Sequence, residues 1–143
     1  MGFLFSKQAS KPAQNAPINA PTNAPTTKQM GDAAEDEALH YLQGQGLRLL
    51  ARNYRTPGRG GGEIDLIMRA ADGTLVFVEV RKRTSMRQGG AAASVGRVKQ
   101  RRIVLAARYY LMRWRAALPA CRFDVVVIDP GGVQWLQAAF DAG

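Results

Sequence analysis

The sequence predicts an α/β fold: a mixed sheet flanked by helices, with elements in the order α-β-β-β-α-β. Three observations predict it. "EIDLIMR" (63–69), "TLVFVEVRK" (74–82) and "RFDVVVID" (122–129) are strand-length runs rich in branched apolar residues. Two longer stretches, 28–46 and 94–117, carry apolar residues at helical spacing. The second helix stands between the third and fourth strands, so helices and strands interleave along the chain.

Each element has a local reason. "KQMGDAAEDEALHYLQGQG" reads as a helix stopped by Gly44 and Gly46. Asp32 and Glu35 stand at capping-box spacing, either as the start of that helix or inside one that begins a turn earlier. "LRLLARN" (47–53) is a short strand, and "YRTPGRGGG" a basic, glycine-rich loop. Ala71-Asp72-Gly73 joins the next two strands as a hairpin. The strand at 122–129 closes on Pro130-Gly131-Gly132, and "VQWL" is a candidate edge strand. Residues 1–27, rich in Ala, Pro, Asn and Thr, read as a disordered leader without a core; Pro12, Pro17, Pro21 and Pro25 would break any helix there. The α/β domain is then 28–143. The apolar part of "MGFLFSK" is too short for a secretory signal or a membrane span. Gly2 and Ser6 fit only a loose myristoylation pattern.

A chain of 143 residues suits one domain. Its net charge of +9 points to a polyanionic partner: nucleic acid first, an acidic membrane surface second. Cys121 is the single cysteine, so no intrachain disulfide forms, which fits a cytoplasmic protein. It is expected to pack at a strand start. The single histidine, His40, is expected on a solvated helix face, which argues against a His-based zinc site or a Ser-His-Asp triad.

The chemistry concentrates on the hairpin. A three-residue loop ending in glycine favours a type I turn with Gly73 in the left-handed region, closing the pair Ala70–Thr74. Counting back, Asp65 faces Glu79 and Glu63 faces Arg81. By alternation Asp65, Glu79 and Arg81 share one side of the sheet. Two opposed carboxylates among apolar neighbours need compensation. Protonation of one, an ion pair from Arg81, or a divalent cation would each supply it. On the first helix Glu35, Leu39 and Leu42 follow one line, so Glu35 borders the core-facing stripe. On the long helix Ile103, Ala106, Ala107, Tyr110 and Trp114 form the apolar stripe, with Lys99 at its edge. Arg97, Arg101, Arg102 and Arg108 are candidate phosphate contacts. From Arg81 to Arg122 there are twelve basic residues and no acid, which favours nucleic acid over a merely solvated face.

Taken together, "GGEIDLIMR…LVFVEVRKR…GGAAASVGRVKQRRI…RFDVVVID" resembles the YraN-type family of small bacterial proteins over roughly residues 28 to 140. That family in turn resembles PD-(D/E)XK nucleases, Holliday-junction resolvases above all. The resemblance implies a restriction-endonuclease-like core and a Mg²⁺- or Mn²⁺-dependent phosphodiesterase site. The implied metal ligands are Glu35, Asp65 and Glu79. Arg81 stands where those nucleases carry a lysine. Arginine cannot act as a general base, so Lys99 is the alternative source of an ammonium, and the implied catalytic set is Glu35, Asp65, Glu79, Arg81 and Lys99. The expected function is a nucleic-acid-binding protein, as a metal-dependent structure-selective DNA endonuclease or as a non-catalytic DNA- or RNA-binding module. A tether at an acidic membrane surface is a third class, and a homodimer is compatible with all of them.

Overall fold

The computed structural model describes residues 24–84 and 95–143. The expected leader, up to residue 23, and the start of the long helix at 94 lie outside the described residues. The described elements are helix α1 (Thr27–Gly44), strands β1 (Arg48–Arg55), β2 (Glu63–Arg69) and β3 (Leu75–Lys82), helix α2 (Arg97–Leu111), and strands β4 (Cys121–Asp129) and β5 (Gly132–Phe140). The α-β-β-β-α-β order is as the sequence predicts, with β5 as the added edge strand.

The first helix starts where a reciprocal box forms. Gln29 N–H donates to Thr26 Oγ1 at 3.1 Å, and Thr26 N–H donates to Gln29 Oε1 at 2.9 Å. Asp32 and Glu35 therefore lie inside the helix. The chain divides into two units after Met30, and the whole sheet belongs to the second, Gly31–Gly143.

The sheet runs in the order β1-β2-β3-β4-β5. The pairs β1/β2, β2/β3 and β4/β5 are antiparallel, while β3 and β4 are parallel. A parallel pair needs a long crossover, and α2 lies within it. Alternation sorts the side chains into two cores. Ile67, Leu75, Phe77, Val125 and Val127 pack with Ile103, Ala106, Ala107 and Tyr110 of α2. Leu66, Met68, Val76, Val78, Val126 and Ile128 pack with Ala34, Ala38 and Leu42 of α1. Each fully buried Val, Leu, Ile or Phe adds about 1.5–3 kcal/mol over exposure.

Strand β5 is longer than "VQWL" suggests, and a buried acid of β4 bonds to its far half. Asp124 is fully buried in β4. It accepts from Arg122 Nε at 3.0 Å, from Trp135 Nε1 at 2.9 Å and from Ala138 N–H at 2.9 Å. The last bond spans the register shift between Phe123 and Val125, where Ala138 takes a φ of 51°. Asp124 thus satisfies a backbone donor that the irregular ladder leaves over. Cys121 opens β4 as expected, but it is exposed rather than packed. His40 is exposed. Among the described residues no helix is long and apolar enough to cross a membrane.

Candidate functional site

The hairpin between β2 and β3 sets the geometry. Gly73 has a φ of 92°, and its N–H donates to Ala70 O at 2.9 Å. Ala70 N–H donates to Thr74 O at 2.9 Å, and Thr74 N–H to Asp72 Oδ1 at 3.0 Å. This turn fixes Arg69 opposite Leu75 and Leu66 opposite Val78. One step further along the two strands come Asp65 and Glu79. There the side chain takes over: Asp65 Oδ2 accepts from Val80 N–H at 2.8 Å. Glu63 does not pair with Arg81. It pairs across β1 with Arg55, and their side chains form an ion pair at 3.5 Å.

Asp65 and Glu79 lie close enough for the charge of one to act on the other. Burial, then the charge of Glu79, push the Asp65 carboxyl up to about 8, against the pull of the Val80 N–H; Glu35 adds a smaller push. At neutral pH the Asp65 carboxyl is therefore biased toward its protonated form. Glu79 is buried, and its Oε2 forms an ion pair with Lys99 Nζ at 2.8 Å. Lys99 is half-exposed, so the ammonium faces both the acid pair and solvent.

These groups line a cleft of about 780 Å³. Its cations are Arg55, Lys99 and Arg102, and its acids are Glu63, Asp65 and Glu79. The glycine-rich loop forms one wall and α2 the other. The base of the loop is clamped: Gly62 N–H donates to Thr56 Oγ1 at 2.9 Å, and Thr56 N–H to Gly62 O at 3.1 Å. Gly62 then sits so close to α2 that a β-carbon there would run into the backbone carbonyl of Arg102.

Asp65, Glu79, Lys99 and Arg102 come together in this cleft; the other expected site residues do not. Glu35 is not among its lining residues. It forms an ion pair with Arg52 Nε at 3.4 Å, while Arg52 also holds Asp36 at 2.7 Å and the carbonyl of Asp32 at 3.2 Å. Its charge nevertheless reaches Asp65. Arg81 is half-buried opposite Val127 in the parallel ladder and is not a lining residue either. Arg97, Arg101 and Arg108 line a different groove, of about 670 Å³, with Asp141. Among the described residues no three His, Cys, Asp or Glu side chains gather as a metal-holding group. Sequence reasoning missed Arg52, because the partner of Glu35 lies 17 residues away on another element.

A family model described as uncharacterised protein family UPF0102 matches residues 34–128, a span that includes Glu35, Asp65, Glu79 and Lys99. A UPF0102 protein of Albidiferax ferrireducens is 69% identical over 116 residues, covering 81% of this chain and 90% of that protein. One from Paracidovorax citrulli is 69% identical over 117 residues, covering 82% and 86%. One from an Acidovorax species is 56% identical over 143 residues, covering 99% of each chain.

Proposed function

The chain belongs to the uncharacterised protein family UPF0102, the YraN-type family its motifs resemble, and from its cleft we propose a nucleic-acid-binding protein that hydrolyses phosphodiester bonds with a divalent cation. The observation that carries this is the acid pair Asp65–Glu79 with Lys99 at 2.8 Å, in an open cleft that also holds Arg55 and Arg102. A purely structural ion pair needs no such cleft, and strongly shifted acids in clefts mark functional sites more often than chance.

The donor set fits Mg²⁺ or Mn²⁺. Hard cations of this kind take carboxylate oxygens, commonly one or two with waters and substrate phosphates completing the shell. Asp65 and Glu79 are two such carboxylates, and a cation between them would offset the upward shift of Asp65. Glu35 joins them only by leaving Arg52. When bound, the cation supplies Lewis-acid neutralisation and an activated water. The remaining work falls to the chain's own side chains. Lys99 donates to a phosphate oxygen where negative charge grows. Arg55 and Arg102 hold neighbouring phosphates and set the register of the strand. Arg81 stands outside the cleft lining, so the ammonium that E-x-K nucleases take from that strand comes here from α2.

A second reading is a binding module without turnover. The ion pair between Glu35 and Arg52 favours it, because it leaves two acids where the nucleases use three. Cleavage of branched and linear DNA with Mg²⁺ or Mn²⁺ separates the two. The nuclease reading expects metal-dependent cleavage that Asp65→Asn and Glu79→Gln abolish. Salt-dependent binding with no cleavage would establish the module instead, and absence of both would overturn the proposal.

A further inference from the structure

Helix α2 has two apolar faces, and the fold uses one. Ile103, Val104, Ala106, Ala107 and Tyr110 are buried. Val98, Leu105, Tyr109 and Met112 are 56%, 48%, 42% and 75% exposed. At 3.6 residues per turn these four fall within about one-sixth of the circumference, roughly opposite the buried face, along about 21 Å of helix. The same spacing sets Arg101 and Arg108 along one side of this stripe and Arg102 along the other. Beside Arg101 and Arg108 lies the second groove, with Val104 and Leu105 among its lining residues.

We infer that this stripe and groove dock an amphipathic helix of another protein, one whose apolar seam is flanked by acidic side chains. Width argues for a helix. A stripe this narrow matches a coiled-coil seam, whereas a helix lying in a membrane surface presents a broad face with bulky aromatics. Charge argues for acidic flanks, since the arginines on both sides would meet carboxylates. A second copy would bring the same arginines against their equals. A phosphate backbone would satisfy the arginines but leave Val98, Leu105 and Met112 without apolar partners. An acid-flanked helix covers the apolar atoms and pairs the charges together. The stripe runs away from the acid pair, and Val98 and Arg102 at its edge also line the cleft that holds that pair.

The test uses the full chain and three synthetic peptides in fluorescence anisotropy. One carries a leucine seam flanked by glutamates, one the same seam flanked by lysines, and one the glutamate peptide scrambled. The glutamate-flanked helix should bind at least about tenfold more tightly than either control. Leu105→Ser with Met112→Ser should weaken it at least about tenfold, as loss of central anchors does. Arg101→Glu with Arg108→Glu should reverse the preference between the two seams. All positions changed are exposed, and unaltered melting temperatures confirm folding. Equal binding of the three peptides, no binding of the first, or insensitivity to the Leu105/Met112 pair would overturn the inference. So would association with phosphatidylglycerol vesicles, duplex DNA or a second copy that the same pair of substitutions removes.

Discussion

Replacing Asp65 by asparagine should make the metal-free protein more stable in alkali. The Asp65 carboxyl titrates near 8 in the folded chain, against an ordinary 3.8. A folded value raised above the unfolded one means that the native state holds the proton more tightly. The stabilisation is complete below about pH 4 and is lost as pH rises through about 8. At about 1.4 kcal/mol per pH unit, the interval from 3.8 to about 8 sets a ceiling on the order of 5 kcal/mol. That is a large share of the roughly 5–15 kcal/mol that holds a domain folded. An asparagine keeps an acceptor for the Val80 N–H, offers Glu79 a donor, and does not titrate. Guanidinium denaturation in chelator at pH 5, 7 and 9 reads the difference. The wild type should lose several kcal/mol across that range, and Asp65→Asn much less, with unchanged denaturant slopes. Parallel pH profiles for the two proteins would refute the account of a proton held on Asp65 by burial.

Three further outcomes follow from the geometry. On the proposed nuclease activity, Lys99→Ala should lower single-turnover cleavage on the order of 10²–10³-fold while changing DNA affinity little, as one proposed phosphate contact among several; an unchanged rate would exclude Lys99 from the chemistry. Gly62→Ala should lower stability by about 1–3 kcal/mol, measured as a shift in melting temperature, because the new methyl meets the backbone carbonyl of Arg102 rather than a movable side chain. Asp124→Ala should cost about 3–5 kcal/mol, as breaking a buried charged pair does, with Trp135 fluorescence reporting the loosened β4–β5 edge.

The hairpin was the most legible part of the sequence, because its information is local. Ala71-Asp72-Gly73 sets the turn, the turn sets the register, and the register carries Asp65 to Glu79. Lys99 was legible for the same reason: one turn before Ile103, it had to leave the helix at the edge of the buried stripe. Glu35 was harder. Helical spacing gave its face correctly, since it is only 14% exposed, but spacing cannot say that Arg52 meets it there. Asp124 was read as one more residue of a buried strand, since its three donors include a backbone N–H whose availability depends on a β-bulge. Position 81 holds the place of the nuclease lysine but carries an arginine, and the lining of the cleft stops at Glu79 on that strand. The extra length of β5 and the second apolar face of α2 depend on what packs where, and neither is encoded in a single short window.

The meeting of Gly62 with the main chain of Arg102 has a consequence for how such a cleft changes over evolutionary time. The gap between its walls is gauged by two backbones, not by the side chains that fill it. Arg102 contributes its carbonyl to that gauge and is also one of the residues lining the cleft. A substitution at 102 can therefore alter the charge offered to a ligand while the width stays constant. A substitution at 62 does the reverse, shifting the width while every functional group is retained. Size selection and charge selection in this cleft are thus separate inheritable traits, each adjustable at a single position.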